Sequence, residues 1–264
     1  MTYQHDAMMR DESMSRSLHF QAACIWPLER NILAAWPQRG ARRVLDLGCG
    51  TGIITSRLGQ ECGFNDVTGV DVIEDRIHQA QQRWHDQPGL QFELVDEGPL
   101  PFPDKHFDLV INRHVLQVIP DPAAMIMEMV RVSSKGLYFL AEDYGMLHHM
   151  HLPSCKFWLD SAVSAQTKHT DLLIGRRLPQ LLIELGLKPN VQYLSIDTIN
   201  TPREYLIEMF KAWRDGYAAF LAEINEVPLE RALAHFNQHI DICNDPHQYL
   251  VWHVPIVQCE LAGT

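Results

Sequence analysis

The run Val44-Leu-Asp-Leu-Gly-Cys-Gly-Thr-Gly52 constrains this chain more than any other. Arg43 to Leu47 is a short apolar strand pattern. It runs into glycines at 48, 50 and 52, and an apolar-periodic helix follows over Ile53 to Gln60. Glycine lets a backbone turn through left-handed conformations and come close to a ligand, so strand, glycine turn and helix together read as the first half of a βαβ unit. The spacing separates this turn from two others. A dinucleotide fingerprint needs its third glycine three residues after the second, where this chain has Ile53, and a P-loop needs Gly-Lys-Ser/Thr, which is missing.

The same alternation continues. Strand patterns at Val67 to Val72, Leu90 to Val95, Phe107 to Asn112 and Gly136 to Ala141 are interleaved with helical patterns at Glu74 to Asp86 and Pro122 to Val132. Asp121-Pro122 suits an N-cap followed by proline at the first helical position. Right-handed βαβ crossovers at this spacing predict an α/β, doubly wound, mostly parallel sheet, whose ligand sits beyond the carboxyl ends of the strands. Ahead of it, Ser13 to Trp36 reads as a helix broken at Pro27. Behind it come helices at Cys155 to Ser164, Asp171 to Leu185, Pro202 to Ile224 and Leu229 to Cys243, a strand at Val191 to Ile196, and one or two strands around Pro255 within Tyr249 to Leu261. We expect one domain: an N-terminal helical cap segment (1–40), a cofactor-binding core (41–142), and the rest of the core with cap insertions at about 143–170 and 200–246.

Three carboxylates stand at strand ends in this reading. Asp46 lies two residues before the first glycine, where it repels a pyrophosphate and suits an ammonium or sulfonium group. Asp71 is placed to accept from two vicinal ribose hydroxyls, and Asp96 from an exocyclic amine. Together they describe a positively charged nucleoside without phosphate.

With these residues in view, the chain resembles the class I S-adenosylmethionine-dependent methyltransferases over about residues 40 to 142. The matching pieces are Val44 to Gly52, Gly69-Val-Asp-Val72, Val95-Asp-Glu-Gly-Pro-Leu-Pro-Phe-Pro-Asp104, and Phe107 to Asn112 leading into His114-Val-Leu-Gln. Arg16-Ser-Leu-His-Phe-Gln21 also resembles a helix that precedes the core in some small-molecule members. The resemblance implies a seven-stranded Rossmann-like sheet and S-adenosyl-L-methionine as cofactor, with S-adenosyl-L-homocysteine as product. It implies that Asp46, Gly48 and Gly50 hold the methionine moiety, with Arg16 and Gln21 at its carboxylate. Asp71 would hold the ribose, Asp96 and the backbone at Glu97 the adenine with Val72 packed on the ring, and Asn112 would lie near the transferring methyl. Residues 112–115 are Asn-Arg-His-Val, a departure from the Asn-Pro-Pro-aromatic motif of enzymes that methylate DNA bases or glutamine.

Methyl transfer from a sulfonium needs alignment more than acid–base help, since the leaving group is already good. Where the acceptor must lose a proton, His114 is the first candidate base and Tyr144 the second, with Asp143 beside it. For the acceptor we single out Arg177, in the pair Arg176-Arg177, as a partner for an acidic group. Trp213 is taken from the aromatic series Phe157, Trp158, Phe210, Trp213, Tyr217 and Phe220, which equally forms a core stripe at helical spacing. His148, His149, His151 and Cys155 lack a second ligand cluster, so no metal is expected.

Composition narrows the partners. Twenty-two Lys and Arg against 33 Asp and Glu give a net charge of −11, which disfavours nucleic acid and anionic membrane surfaces. The chain has no apolar run long enough to span a bilayer, its first residues lack a signal-peptide pattern, and its 6 cysteines form no C-x-x-C pair. The sequence therefore predicts a cytoplasmic protein, monomer or homodimer, that methylates an N, O or C atom of a small molecule such as an aromatic or heterocyclic natural product. The alternatives are a protein or peptide methyltransferase and a non-catalytic S-adenosylmethionine-binding regulator.

Overall fold

In the computed structural model, residues 12–166 and 170–261 are described. They fall into two compact units. The first holds residues up to Pro27, Asp143–Leu173 and Leu194–Val254; the second holds Leu28–Glu142, Ile174–Tyr193 and the residues from Pro255 on.

The second unit carries the glycine turn. Its strands are β1 (Arg43–Leu47), β2 (Asp66–Asp71), β3 (Leu90–Leu94), β4 (Phe107–Arg113) and β5 (Ser133–Leu140), joined by the end of β8 (Leu250–Glu260). The order is β3-β2-β1-β4-β5-β8, parallel except for the antiparallel β5–β8 pair. The chain steps outward from β1 to β3 and then returns to the other side of β1 with β4. The order therefore reverses between β1 and β4, which is where a doubly wound sheet opens a ligand crevice. All seven residues of β4 are buried, as expected of a central parallel strand covered on both faces.

Helices α2 (Ile53–Arg57), α3 (Glu74–Trp84), α4 (Pro122–Val132) and α6 (Ile174–Glu184) complete this unit with the second half of α1 (Glu12–Gln38). Asp121 caps α4 by accepting from the Ala124 amide at 2.9 Å, with Pro122 at the first helical position as expected. Leu45, Val110, Ile126, Met129, Leu137, Phe139, Leu178 and Leu182 are all fully buried in the main core of this unit.

The first unit contains the start of α1, a short strand β6 (Leu147–His149), α5 (Leu152–Ala165), part of β7 (Pro189–Asp197), α7 (Arg203–Ile224), α8 (Leu229–Asn244) and the start of β8. Leu147 to His149 pair antiparallel with Leu250 to Trp252. Its centre is aromatic: Tyr144 stacks on Trp158 at 4.8 Å, and Trp213 meets Tyr144 and Trp252 edge-on.

Two local expectations change, and one left open is resolved. The N-terminal helix runs unbroken through Pro27, with Cys24, Ile25 and Trp26 before it and Leu33 and Trp36 after it all buried. Burial of that apolar stripe outweighs the one backbone hydrogen bond a helical proline removes. The last apolar stretch is a single strand through Pro255. Pro255 lies between the residues that pair with β6 and those that pair with β5. Finally, the sheet has eight strands, with the three-residue β6 added to the expected seven.

Candidate active site

The glycine turn is held by backbone. The amides of Gly48 and Cys49 both donate to the Val70 carbonyl, at 2.8 and 2.9 Å, and the Trp84 indole donates to the Thr51 carbonyl at 3.0 Å. Gly48 has φ +79°, and a Cβ there would stand 2.4 Å from Val115 Cγ2, so both the left-handed backbone and the close approach of the next strand-end loop require glycine.

Asp71, the last residue of β2, is fixed from two sides. One carboxylate oxygen accepts from the Gly50 amide at 2.9 Å and the other from the Ile73 amide at 3.0 Å. Burial raises its pKa, while these amides and nearby Arg76 pull it down. A carboxylate with one amide on each oxygen keeps its remaining lone pairs for a ligand. Val72 beside it is 46% exposed, and Asp96 and Glu97 are exposed in the loop after β3. The Val95 amide donates to the Asp71 carbonyl at 3.1 Å, tying that loop to the end of β2. An oriented carboxylate, an open apolar face and a further acid, all on neighbouring strand ends, fit the sugar and base of a nucleoside.

Asp46 is not at the mouth of the turn. It is the fourth residue of β1, 3% exposed, and accepts from the Thr55 hydroxyl of α2 at 2.7 Å. Burial pushes its pKa up to about 6, partly offset by the Thr55 hydroxyl and by Arg113. Arg113 itself is buried in a two-pronged pair with Glu29 at 2.8 and 2.7 Å, and the Tyr138 hydroxyl donates to the same carboxylate at 2.9 Å. Asn112 is buried on β4 and donates to the Leu47 carbonyl at 3.3 Å, bracing the end of β1 just before Gly48.

His114 follows β4 with φ +61°, a conformation that costs a non-glycine residue on the order of 1–3 kcal/mol. Its amide donates to the Leu140 carbonyl at 3.0 Å, and its Nδ1 contacts a Glu142 carboxylate oxygen. Glu142 is absent from the expected site, although the rule that finds acids at strand ends reaches it, since it lies two residues past β5.

The remaining expected residues have these places. Arg177 is exposed in the first turn of α6. In the other unit, Arg16 pairs with Glu12 at 2.8 Å and Asp215 at 3.0 Å, and Gln21 is buried on α1. Tyr144 and Trp213 are 4% and 1% exposed within the aromatic centre, the core-stripe alternative for Trp213. His149 stacks with His151 and packs edge-on against His239, and among the described residues no group of three or more His, Cys, Asp or Glu could hold a metal ion.

Residues 39–184 match the family described as "Methyltransferase domain". The chain belongs to this family. Among curated relatives, a fatty-acid O-methyltransferase of Mycolicibacterium smegmatis is 38% identical over 102 residues, 39% of this chain and 37% of that one. A ubiquinone/menaquinone biosynthesis C-methyltransferase of Desulfotalea psychrophila is 31% identical over 107 residues, 40% and 43% of the two chains. The chain thus spans about two fifths of the length of these relatives. In fold it is similar to phosphoethanolamine N-methyltransferase 2 of Haemonchus contortus, solved with S-adenosyl-L-methionine: TM-score 0.53, 20% identity, 87% of this chain and 52% of that one.

Proposed function

We propose that this methyltransferase-family chain binds S-adenosyl-L-methionine and transfers its methyl group to a small-molecule acceptor by in-line displacement. The observation that carries the reading is Asp71, set by the Gly50 and Ile73 amides at the end of β2 beside exposed Val72. The cofactor supplies a methyl on a sulfonium, a good leaving group. The residues of the chain supply position. Asp71 holds the ribose hydroxyls, Val72 covers the base, Asp96 and the Glu97 backbone meet its amine edge, and the Gly48–Gly50 backbone admits the methionine part. Asp46 acts from beneath the turn, as a buried carboxyl that favours positive charge above it. The curated relatives named above support a small-molecule acceptor, and Arg177 is the candidate to meet an acidic group on it.

Asp71→Ala removes two charge-assisted hydrogen bonds and should weaken S-adenosyl-L-homocysteine binding by roughly 2–4 kcal/mol in isothermal titration. An affinity equal to that of the unaltered chain would refute the assignment.

A further inference from the structure

The structure brings His114 and Glu142 together from the ends of two neighbouring parallel strands. His114 follows β4 directly and Glu142 lies two residues beyond β5; the two strands pair up to Arg113 and Leu140, and the His114 amide donates to the Leu140 carbonyl. Both side chains are buried, 7% and 2% exposed, and His114 Nδ1 meets one Glu142 oxygen. Two polar atoms of the pair, His114 Nε2 and the second Glu142 oxygen, have no hydrogen-bond partner among the described residues. Such atoms are rare in folded proteins and call for an explanation. The pair also adjoins the glycine turn, because Val115, the residue after His114, is the side chain packed against Gly48.

We propose that His114 and Glu142 form a proton-accepting pair and that the acceptor of this enzyme is a hydroxyl compound, a phenol or enol, that must lose its proton as it is methylated. This rests on the methyl-transfer reading above. The Glu142 oxygen that meets Nδ1 accepts its hydrogen, which fixes the imidazole as the tautomer with hydrogen on Nδ1 and leaves the Nε2 lone pair bare. That bare nitrogen is the unpartnered atom. In the transfer step the Nε2 lone pair takes the hydroxyl proton. The electron pair left on oxygen forms the bond to the methyl carbon, the carbon–sulfur bond breaks, and its electrons stay on the now neutral sulfur. Glu142 balances the imidazolium that results, and the proton leaves to solvent after product release. His114 is then the catalytic residue and Glu142 its positioning residue. An acceptor that is already an anion, such as a fatty-acid carboxylate, has no proton for the pair to remove.

Nitrogen-15 NMR of histidine-labelled protein without ligands, with His114 identified by its loss in His114→Gln, tests the geometry. The expected signal is the Nδ1–H tautomer; an Nε2–H tautomer, or the averaged signal of free histidine, overturns the pair. S-adenosyl-L-homocysteine binding serves as the control. If the unaltered chain fails to bind it, the methyl-transfer reading falls; normal binding with the wrong tautomer removes only this proposal. In turnover with hydroquinone and palmitate as probe acceptors, methylation of palmitate in preference to hydroquinone overturns the acceptor class. With hydroquinone turned over, Glu142→Gln should lower kcat at least tenfold while KM and S-adenosyl-L-homocysteine affinity hold. An unchanged kcat overturns the role of Glu142. Where neither probe is methylated, the tautomer alone decides.

Discussion

Asp46 is the residue at which the proposed binding role would cost stability most directly. Its carboxyl is buried and its pKa is raised from 3.8 to about 6, so folding favours the neutral form. The charge costs nothing below pH 4; the cost grows as pH rises through the interval and is complete above about 6, at about 3 kcal/mol for a shift of roughly two units. Asp46→Asn keeps a side-chain oxygen to accept from Thr55 and removes that cost. Thermal unfolding at pH 8 should therefore show a more stable protein, by up to about 3 kcal/mol, with weaker affinity for S-adenosyl-L-methionine than for a neutral thioether analogue. A variant less stable than the parent at pH 8 would show that the carboxylate is better satisfied than its burial indicates. The sequence placed this acid beside the glycines. It also put Asp46 inside the strand 43–47, but could not reveal that its side chain is buried against Thr55 of α2, because one residue along a strand decides which face a side chain points to.

At the scale of elements, those with a local signal formed where the sequence put them. Helix α4 spans Pro122–Val132 as read, because Asp121 and Pro122 encode its start chemically. Asp121→Ala should cost about 1 kcal/mol in chemical denaturation, the usual worth of such a cap, and leave S-adenosyl-L-homocysteine binding alone. A loss of binding in that variant would mean that α4 governs the site. Where the local signal conflicted with burial, burial prevailed. Pro27 did not end α1, because the apolar side chains on both sides of it are buried, and of the one or two strands allowed around Pro255 a single one formed. Glu29 was passed over for a related reason: nothing local on α1 marks it, and only the fold brings it to Arg113 and Tyr138, far along the chain.

On the scale of the molecule, the two units differ in what they bury. The second unit buries the acids and the arginine around the glycine turn. The first buries histidines: His149, His235 and His239 pack edge-on among themselves, and His235 and His239 meet Trp158. Burial pushes their pKa values from 6.5 down to about 4, about 2 and about 3. Each is neutral when folded and protonates near 6.5 when unfolded. The stability they allow is thus complete above pH 6.5 and is lost as pH falls, down to about 4 for His149 and on to about 2 and about 3 for His235 and His239. At pH 5 this is about 2 kcal/mol per histidine at most, against about 1 kcal/mol returned by protonation of Asp46. The near-ultraviolet circular dichroism of Trp158, Trp213 and Trp252 should melt at markedly lower temperature at pH 5 than at pH 7.5. Equal melting temperatures would mean that these histidines do not stay neutral in the fold. No helix among the described residues is long and apolar enough to cross a membrane.

The sequence alone determined what depends on neighbours in the chain. Strand, glycine turn and helix at 43–60, the acid at 71 after an apolar strand, the cap at 121, and hence the α/β class and the methyltransferase family, all follow from residue types at fixed short spacings. Tertiary structure decided what depends on strands far apart in sequence. It placed Asp46 beneath the turn, drew Glu29 to Arg113, and set Glu142 against His114. Those partners lie 28 or more positions apart, or on opposite sides of a turn, and no periodicity records them. Glu142 meets His114 because parallel strands end side by side, and the other contacts form because helices pack on the sheet's faces; both are properties of the whole sheet and not of any segment in it.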